Sequence, residues 1–122
     1  MKVLIIGASG LVGSNCLRYF KQKEIECVGT YFSYEAKNTV FFDTLNLNNP
    51  DNFDVASYKP DVILHCGALT HVDYCEHHEA ESHEKTVHST NNMIALAKEL
   101  GAQRVELYTE PYAETYGTAD ND

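Results

Sequence analysis

Gly7, Gly10 and Gly13 stand three residues apart close to the start of the sequence, and their type and spacing could do one kind of chemistry, the binding of an anion. A strand, a tight glycine turn and a helix in succession aim free backbone N–H groups and the positive end of a helix dipole at one point. In such a turn Gly7 would permit the reversal and Gly10 would let a pyrophosphate approach the backbone. Gly13 would let the helix lie close to the strand. The spacing reads G-x-x-G-x-x-G, a departure from the G-x-G-x-x-G dinucleotide fingerprint.

A second group has metal-ligand types. All six histidines (His65, His71, His77, His78, His83 and His88) fall in residues 65–88 together with Cys66, Asp73 and Cys75, a composition that suits zinc or copper. His71 with Cys75 and Asp73 with His77 are four apart and could share a helix face, whereas His83 and His88 are five apart and share one poorly. The plainer alternative is a solvated helix face from Glu76 to Glu84 on which histidine and glutamate replace one another, and the expectation is no metal site.

These residues need elements to position them. Val3–Ile6 is a continuous apolar run, as in a strand buried on both faces. Val12, Cys16, Leu17 and Phe20 then recur at helical intervals. Cys27–Phe32 predicts a second strand, Thr39–Asp43 a third, Asp51–Ser57 a short helix with Pro50 near its first turn, and Val62–Cys66 a fourth strand. From Asp73 to Leu100 the chain reads as mainly helical, with Val87, Thr90, Ile94, Ala97 and Leu100 on one face and Gly101 at its end. Arg104–Tyr108 is a fifth strand. The alternation predicts an α/β fold, a Rossmann-like doubly wound parallel sheet of order 3-2-1-4-5, over residues 1–109, with residues 110–122 an irregular tail. In such a fold the end of the second strand faces the adenosine ribose. Thr30 and Tyr31 stand there in place of the acid that favours NAD, so the reading leans to NADP.

Composition narrows the partners. A net charge of −9 argues against nucleic acid and anionic membranes as main partners, since both want a basic face. A dinucleotide survives that argument because backbone amides can hold it. The first apolar run is too short for a signal peptide and no run reaches membrane-spanning length. The four cysteines (Cys16, Cys27, Cys66 and Cys75) form no C-x-x-C pair, which predicts reduced thiols and a cytoplasmic location.

Four stretches carry a family likeness: Gly7–Gly13 (GASGLVG), Val28–Tyr31 (VGTY), Leu45–Pro50 (LNLNNP) and Lys59–Glu76 (KPDVILHCGALTHVDYCE). In this order they resemble the N-terminal cofactor half of extended short-chain dehydrogenase/reductases, in the dTDP-4-dehydrorhamnose reductase-like group. That group reduces keto groups of nucleotide-linked sugars with NAD(P)H. The resemblance implies that Gly7, Ser9, Gly10, Leu11, Val12 and Gly13 cradle the pyrophosphate. It sets Asn46 where the family often has an aspartate near the adenine, with Asp43 as a substitute. Cys66, Gly67, Ala68 and Thr70 match the turn along the nicotinamide-side ribose, and Thr109 matches the Ser/Thr that hydrogen-bonds the substrate carbonyl. His65 and His88 replace asparagine-like positions.

The family's chemistry also needs a tyrosine to pass a proton and a lysine four residues later to tune it. That pair belongs after the fifth strand, and the only Tyr-x-x-x-Lys in the sequence is Tyr19–Lys23, on the first helix. The expectation is cofactor binding without turnover by this chain alone. The sequence would be a truncated or frameshifted reading of a full reductase, or a stand-alone module, and the bare sheet edge after a fifth strand favours truncation. Nucleotide-sugar substrate enters only with a complete protein. A non-catalytic NAD(P)-binding sensor or subunit and a His/Cys metal-binding protein are the alternatives.

Overall fold

The structure, a computed structural model, describes residues 1–66 and 79–106. Five parallel strands form one sheet: β1 (Lys2–Ile6), β2 (Glu26–Tyr31), β3 (Thr39–Phe41), β4 (Val62–His65) and β5 (Gln103–Glu106), in the order β3-β2-β1-β4-β5. Helix α1 (Leu11–Gln22) joins β1 to β2, α2 (Val55–Tyr58) precedes β4, and α3 (Glu79–Leu100) precedes β5. The central register pairs Leu4 with Val28 on one side and with Ile63 on the other. This is the Rossmann-like arrangement that the alternating pattern predicts.

Strand β1 shows why its apolar run does not alternate. Val3 and Ile5 pack with Ala8, Leu17 and Leu64 on the α1 side. Leu4 and Ile6 pack with Phe42, Val55, Ile63, Met93 and Ala97 on the α3 side. Both faces of the sheet are therefore core, and a polar side chain anywhere from Val3 to Ile6 would be buried among apolar ones.

Two element boundaries among the described residues differ by two residues or more from the sequence reading. The third strand stops at Phe41 instead of Asp43, and the short helix starts at Val55 instead of Asp51. Both have one cause: Asp43, Asn46 and Asn49 each accept a backbone N–H two residues on, from Leu45, Asn48 and Asp51. Successive Asx turns offer the backbone an alternative to strand or helix. The helix starts where Asp54 caps it, accepting from Ser57 N–H at 3.2 Å. On α3 the buried stripe runs through Ser89, Met93 and Ala97, while Val87 is 43% exposed and lies off it. Gly101 does end the helix, with φ of +70° and Ala102 N–H donating to Ala97 O. Among the described residues no helix is long and apolar enough to cross a membrane.

Candidate functional site

In a parallel sheet every strand ends at the same edge, so Gly7, Tyr31, the Asp43 turn and Cys66 come together there. Strand order reverses between β1 and β4, and ligands of open α/β sheets bind at that reversal.

The glycine turn is built from both flanks. Gly7 has φ of +83°, a left-handed conformation that glycine adopts without strain. Its N–H donates to Thr30 Oγ1 at 3.3 Å, and Ala8 N–H donates to Thr30 O at 2.7 Å. Gly13 is glycine for packing: a Cβ there would stand 2.2 Å from Gly7 O. Gly10 is different. It caps α1 with φ of −85°, a conformation open to any residue, and a Cβ there would come no closer than 3.6 Å to any neighbour, Gly7 O. Neither backbone nor packing within the described residues asks for glycine at position 10; a ligand lying against it would.

What Gly10 opens onto is the start of α1. A helix cannot bond its own first N–H groups, here those of Leu11, Val12 and Gly13. No side chain caps them from position 10, and the first turn carries no acid. In a chain of net charge −9 this is a place where a phosphate meets dipole and amides without repulsion from that turn. These features fit the pyrophosphate of a dinucleotide. Leu11, 75% exposed, stands at the mouth, and Ser9 and Val12 are part-buried.

The other expected contacts fall into three sets. Thr30 is 1% exposed and its hydroxyl accepts from the glycine turn, so its side chain shapes the turn from beneath. Tyr31 is half-buried and meets the ring of Phe41 edge-on at 5.8 Å, with Phe32 exposed beside them. Asp43 and Asn46 are tied together by Asn52, which accepts from Asp43 N–H at 2.7 Å and donates to Asn46 O at 3.1 Å. Cys66 N–H donates to Ile6 O at 2.8 Å. Burial first, and then Cys16 beside it, push the Cys66 thiol up to about 12, so it stays protonated at neutral pH. Gly67, Ala68, Thr70 and Thr109 lie outside the described residues, as do His71, Asp73, Cys75, His77 and His78. Among the described residues no three His, Cys, Asp or Glu side chains converge as metal ligands.

Sequence reasoning missed Thr44, Ser89 and Asn92, which meet behind this edge. Ser89 Oγ donates to Thr44 Oγ1 at 2.7 Å and Asn92 Nδ2 donates to Thr44 O at 2.7 Å. The available signal was a serine on the α3 face that otherwise carries Met93 and Ala97. Tyr19–Lys23 sits at the far end of α1 from the glycine turn, with Lys23 Nζ 5.7 Å from the centre of the Tyr19 ring, so it cannot serve this edge.

Comparison with known proteins agrees with this geometry. The model of the NAD dependent epimerase/dehydratase family matches residues 3–121. Methionine adenosyltransferase 2 subunit beta of Bos taurus is 30% identical over 103 residues, 83% of this chain and 30% of that protein. A hypothetical dTDP-4-dehydrorhamnose reductase from Sulfolobus tokodaii superposes with a TM-score of 0.71 at 26% identity, over 87% of this chain and 38% of that one. The dTDP-4-dehydrorhamnose reductase from Yersinia enterocolitica gives 0.60 at 30% identity, over 84% and 33%. The chain thus spans about a third of the length of the proteins it matches.

Proposed function

This chain belongs to the NAD dependent epimerase/dehydratase family, and from that premise we propose that it is the cofactor-binding part of a reductase acting on keto groups of nucleotide-linked sugars. Membership implies a nicotinamide dinucleotide. In this reading its pyrophosphate rests on Gly7–Gly13, held by the N–H groups of Leu11, Val12 and Gly13. The adenosine lies towards Tyr31, Asp43 and Asn46, and the nicotinamide ribose towards Cys66, Gly67, Ala68 and Thr70. When bound, the dinucleotide supplies a hydride; the chain's own residues bind and orient it. The observation that carries the reading is Gly10, a glycine that neither its conformation nor its described neighbours require.

The finer assignments belong to the same proposal. NADP is preferred over NAD because no acid lies between Cys27 and Tyr34, which removes the usual objection to a 2′-phosphate. Residues 1–109 form the binding unit, and Thr109 would hydrogen-bond a substrate carbonyl in a complete protein. Alone, the chain binds without turnover, since its one Tyr-x-x-x-Lys is misplaced on α1. The reduced cysteines suit a cytoplasmic setting. One observation favours a second reading, a dinucleotide-binding subunit of another enzyme: the relatives from cattle and zebrafish bear the name of a subunit.

Fluorescence titration with NADPH and NADH tests the proposal. Wild type binds NADPH more tightly than NADH, and Gly10→Ala, whose Cβ the chain accommodates but a phosphate would not, binds at least about tenfold more weakly while melting normally. Equal binding by Gly10→Ala would remove the glycine turn from the site.

A further inference from the structure

Behind the sheet edge runs a chain of polar groups, buried at His65 and Ser89 and half-buried at Thr44. Ser89 Oγ lies 2.7 Å from Thr44 Oγ1, within hydrogen-bond reach. It also lies 3.2 Å from His65 Nε2. The other ring nitrogen, Nδ1, stands 3.5 Å from the Arg104 guanidinium, a donor that needs a lone pair opposite it. Facing that donor with Nδ1 puts the ring proton on Nε2, which then donates to Ser89 Oγ and leaves the Ser89 proton for Thr44 Oγ1. The ring is 1% exposed and Ser89 6% exposed. On the same helix Asn92 holds Thr44 O at 2.7 Å, and His88 Nε2 reaches Leu45 O at 3.2 Å.

The two ends of this chain matter. His65 closes β4 and is followed directly by Cys66. Thr44 stands between Asp43 and Asn46 in sequence. Apolar side chains could fill the same space, but a hydrogen-bonded chain admits one arrangement where packing admits several. We propose that His65, Ser89 and Thr44 are positioning residues, a hydrogen-bonded brace that fixes the adenosine end of the crevice to its nicotinamide end so that both halves of one dinucleotide are held at a set separation. The inference rests on the dinucleotide reading above. None of the three needs to touch the cofactor.

The test is a matched pair of variants titrated with NADPH and with adenosine diphosphate, alongside the ¹⁵N spectrum of the wild-type histidines. Thr44→Val keeps the shape and loses the hydroxyl; Thr44→Ser keeps the hydroxyl. Thr44→Val should bind NADPH about three- to tenfold more weakly, the loss expected for one buried hydrogen bond. Adenosine diphosphate, which does not span both ends, should lose less. Thr44→Ser should stay within about twofold of wild type. A hydroxyl with a merely structural role would lower the melting midpoint and leave the affinity of the folded molecule alone. The spectrum should show His65 neutral with Nε2 protonated. Wild type that binds neither ligand would overturn both the dinucleotide reading and the brace. Wild type that binds while Thr44→Val binds equally well, or a proton on Nδ1, would overturn the brace and leave the dinucleotide reading standing.

Discussion

At the scale of single residues, Gly10 and Gly13 look alike in the sequence and differ in what requires them. Alanine at position 13 gains about 1 kcal/mol of helix propensity but drives its Cβ to 2.2 Å from Gly7 O. A backbone oxygen cannot rotate away, so the clash wins, and Gly13→Ala should lose about 2–3 kcal/mol in urea denaturation. An unchanged midpoint would mean that α1 and the turn are less tightly packed than described. Cys66 makes a second residue-scale prediction. With its thiol raised from 9.0 to about 12, the folded chain keeps a proton that the unfolded chain gives up. Tyr58, raised from 10.0 to about 12 by burial and then by Glu26, acts in the same direction. Stability from these groups is complete below about pH 9 and declines as pH rises towards about 12. At pH 8 iodoacetamide should label Cys66 far more slowly than a cysteine in an unfolded peptide, as peptide mass mapping would reveal. Labelling at the peptide rate would place Cys66 in water.

At the scale of elements, the site depends on which neighbours hold each turn. Thr30 holds the glycine turn from β2, so Thr30→Val, which keeps shape and loses the acceptor for Gly7 N–H, should cost about 1 kcal/mol of stability. No loss would show that the Ala8–Thr30 backbone bond suffices. On α3, Met93 is fully buried and Val87 is 43% exposed. Met93→Ala should therefore cost about 2–4 kcal/mol and Val87→Glu well under 1 kcal/mol. The reverse order would put Val87 on the buried face with Ala97, as the sequence pattern suggests. These elements show what a sequence can and cannot reveal. The β1 run and the three glycines were readable because burial on both faces and the turn each leave a one-residue-type signature. The start of α2 was not, because Asp43, Asn46 and Asn49 could equally have capped a helix or closed turns. The brace was hidden for a different reason. Its members, Thr44, His65 and Ser89, are far apart in the chain, and only the fold brings them within hydrogen-bond reach.

At the scale of the molecule, α1 on one face and α3 on the other enclose a five-stranded sheet whose strand order reverses between β1 and β4. Family membership implies a nicotinamide dinucleotide, and the reversal is where such a ligand belongs. The proposed reading has this chain bind the cofactor without turnover. Tyr19 and Lys23 stand at the opposite end of α1 from the crevice, so mixing the chain with NADPH and a 4-keto nucleotide sugar should consume no cofactor above the blank. Sustained NADPH oxidation would contradict the assignment of this chain to binding alone. In the proposed function the first amides of α1 hold the phosphates, and the ¹⁵N–¹H spectrum of the chain titrated with NADPH reads them directly. The amide resonances of Leu11, Val12 and Gly13 should move together and saturate with one affinity. Saturable shifts confined to other residues, with those three amides still, would contradict it.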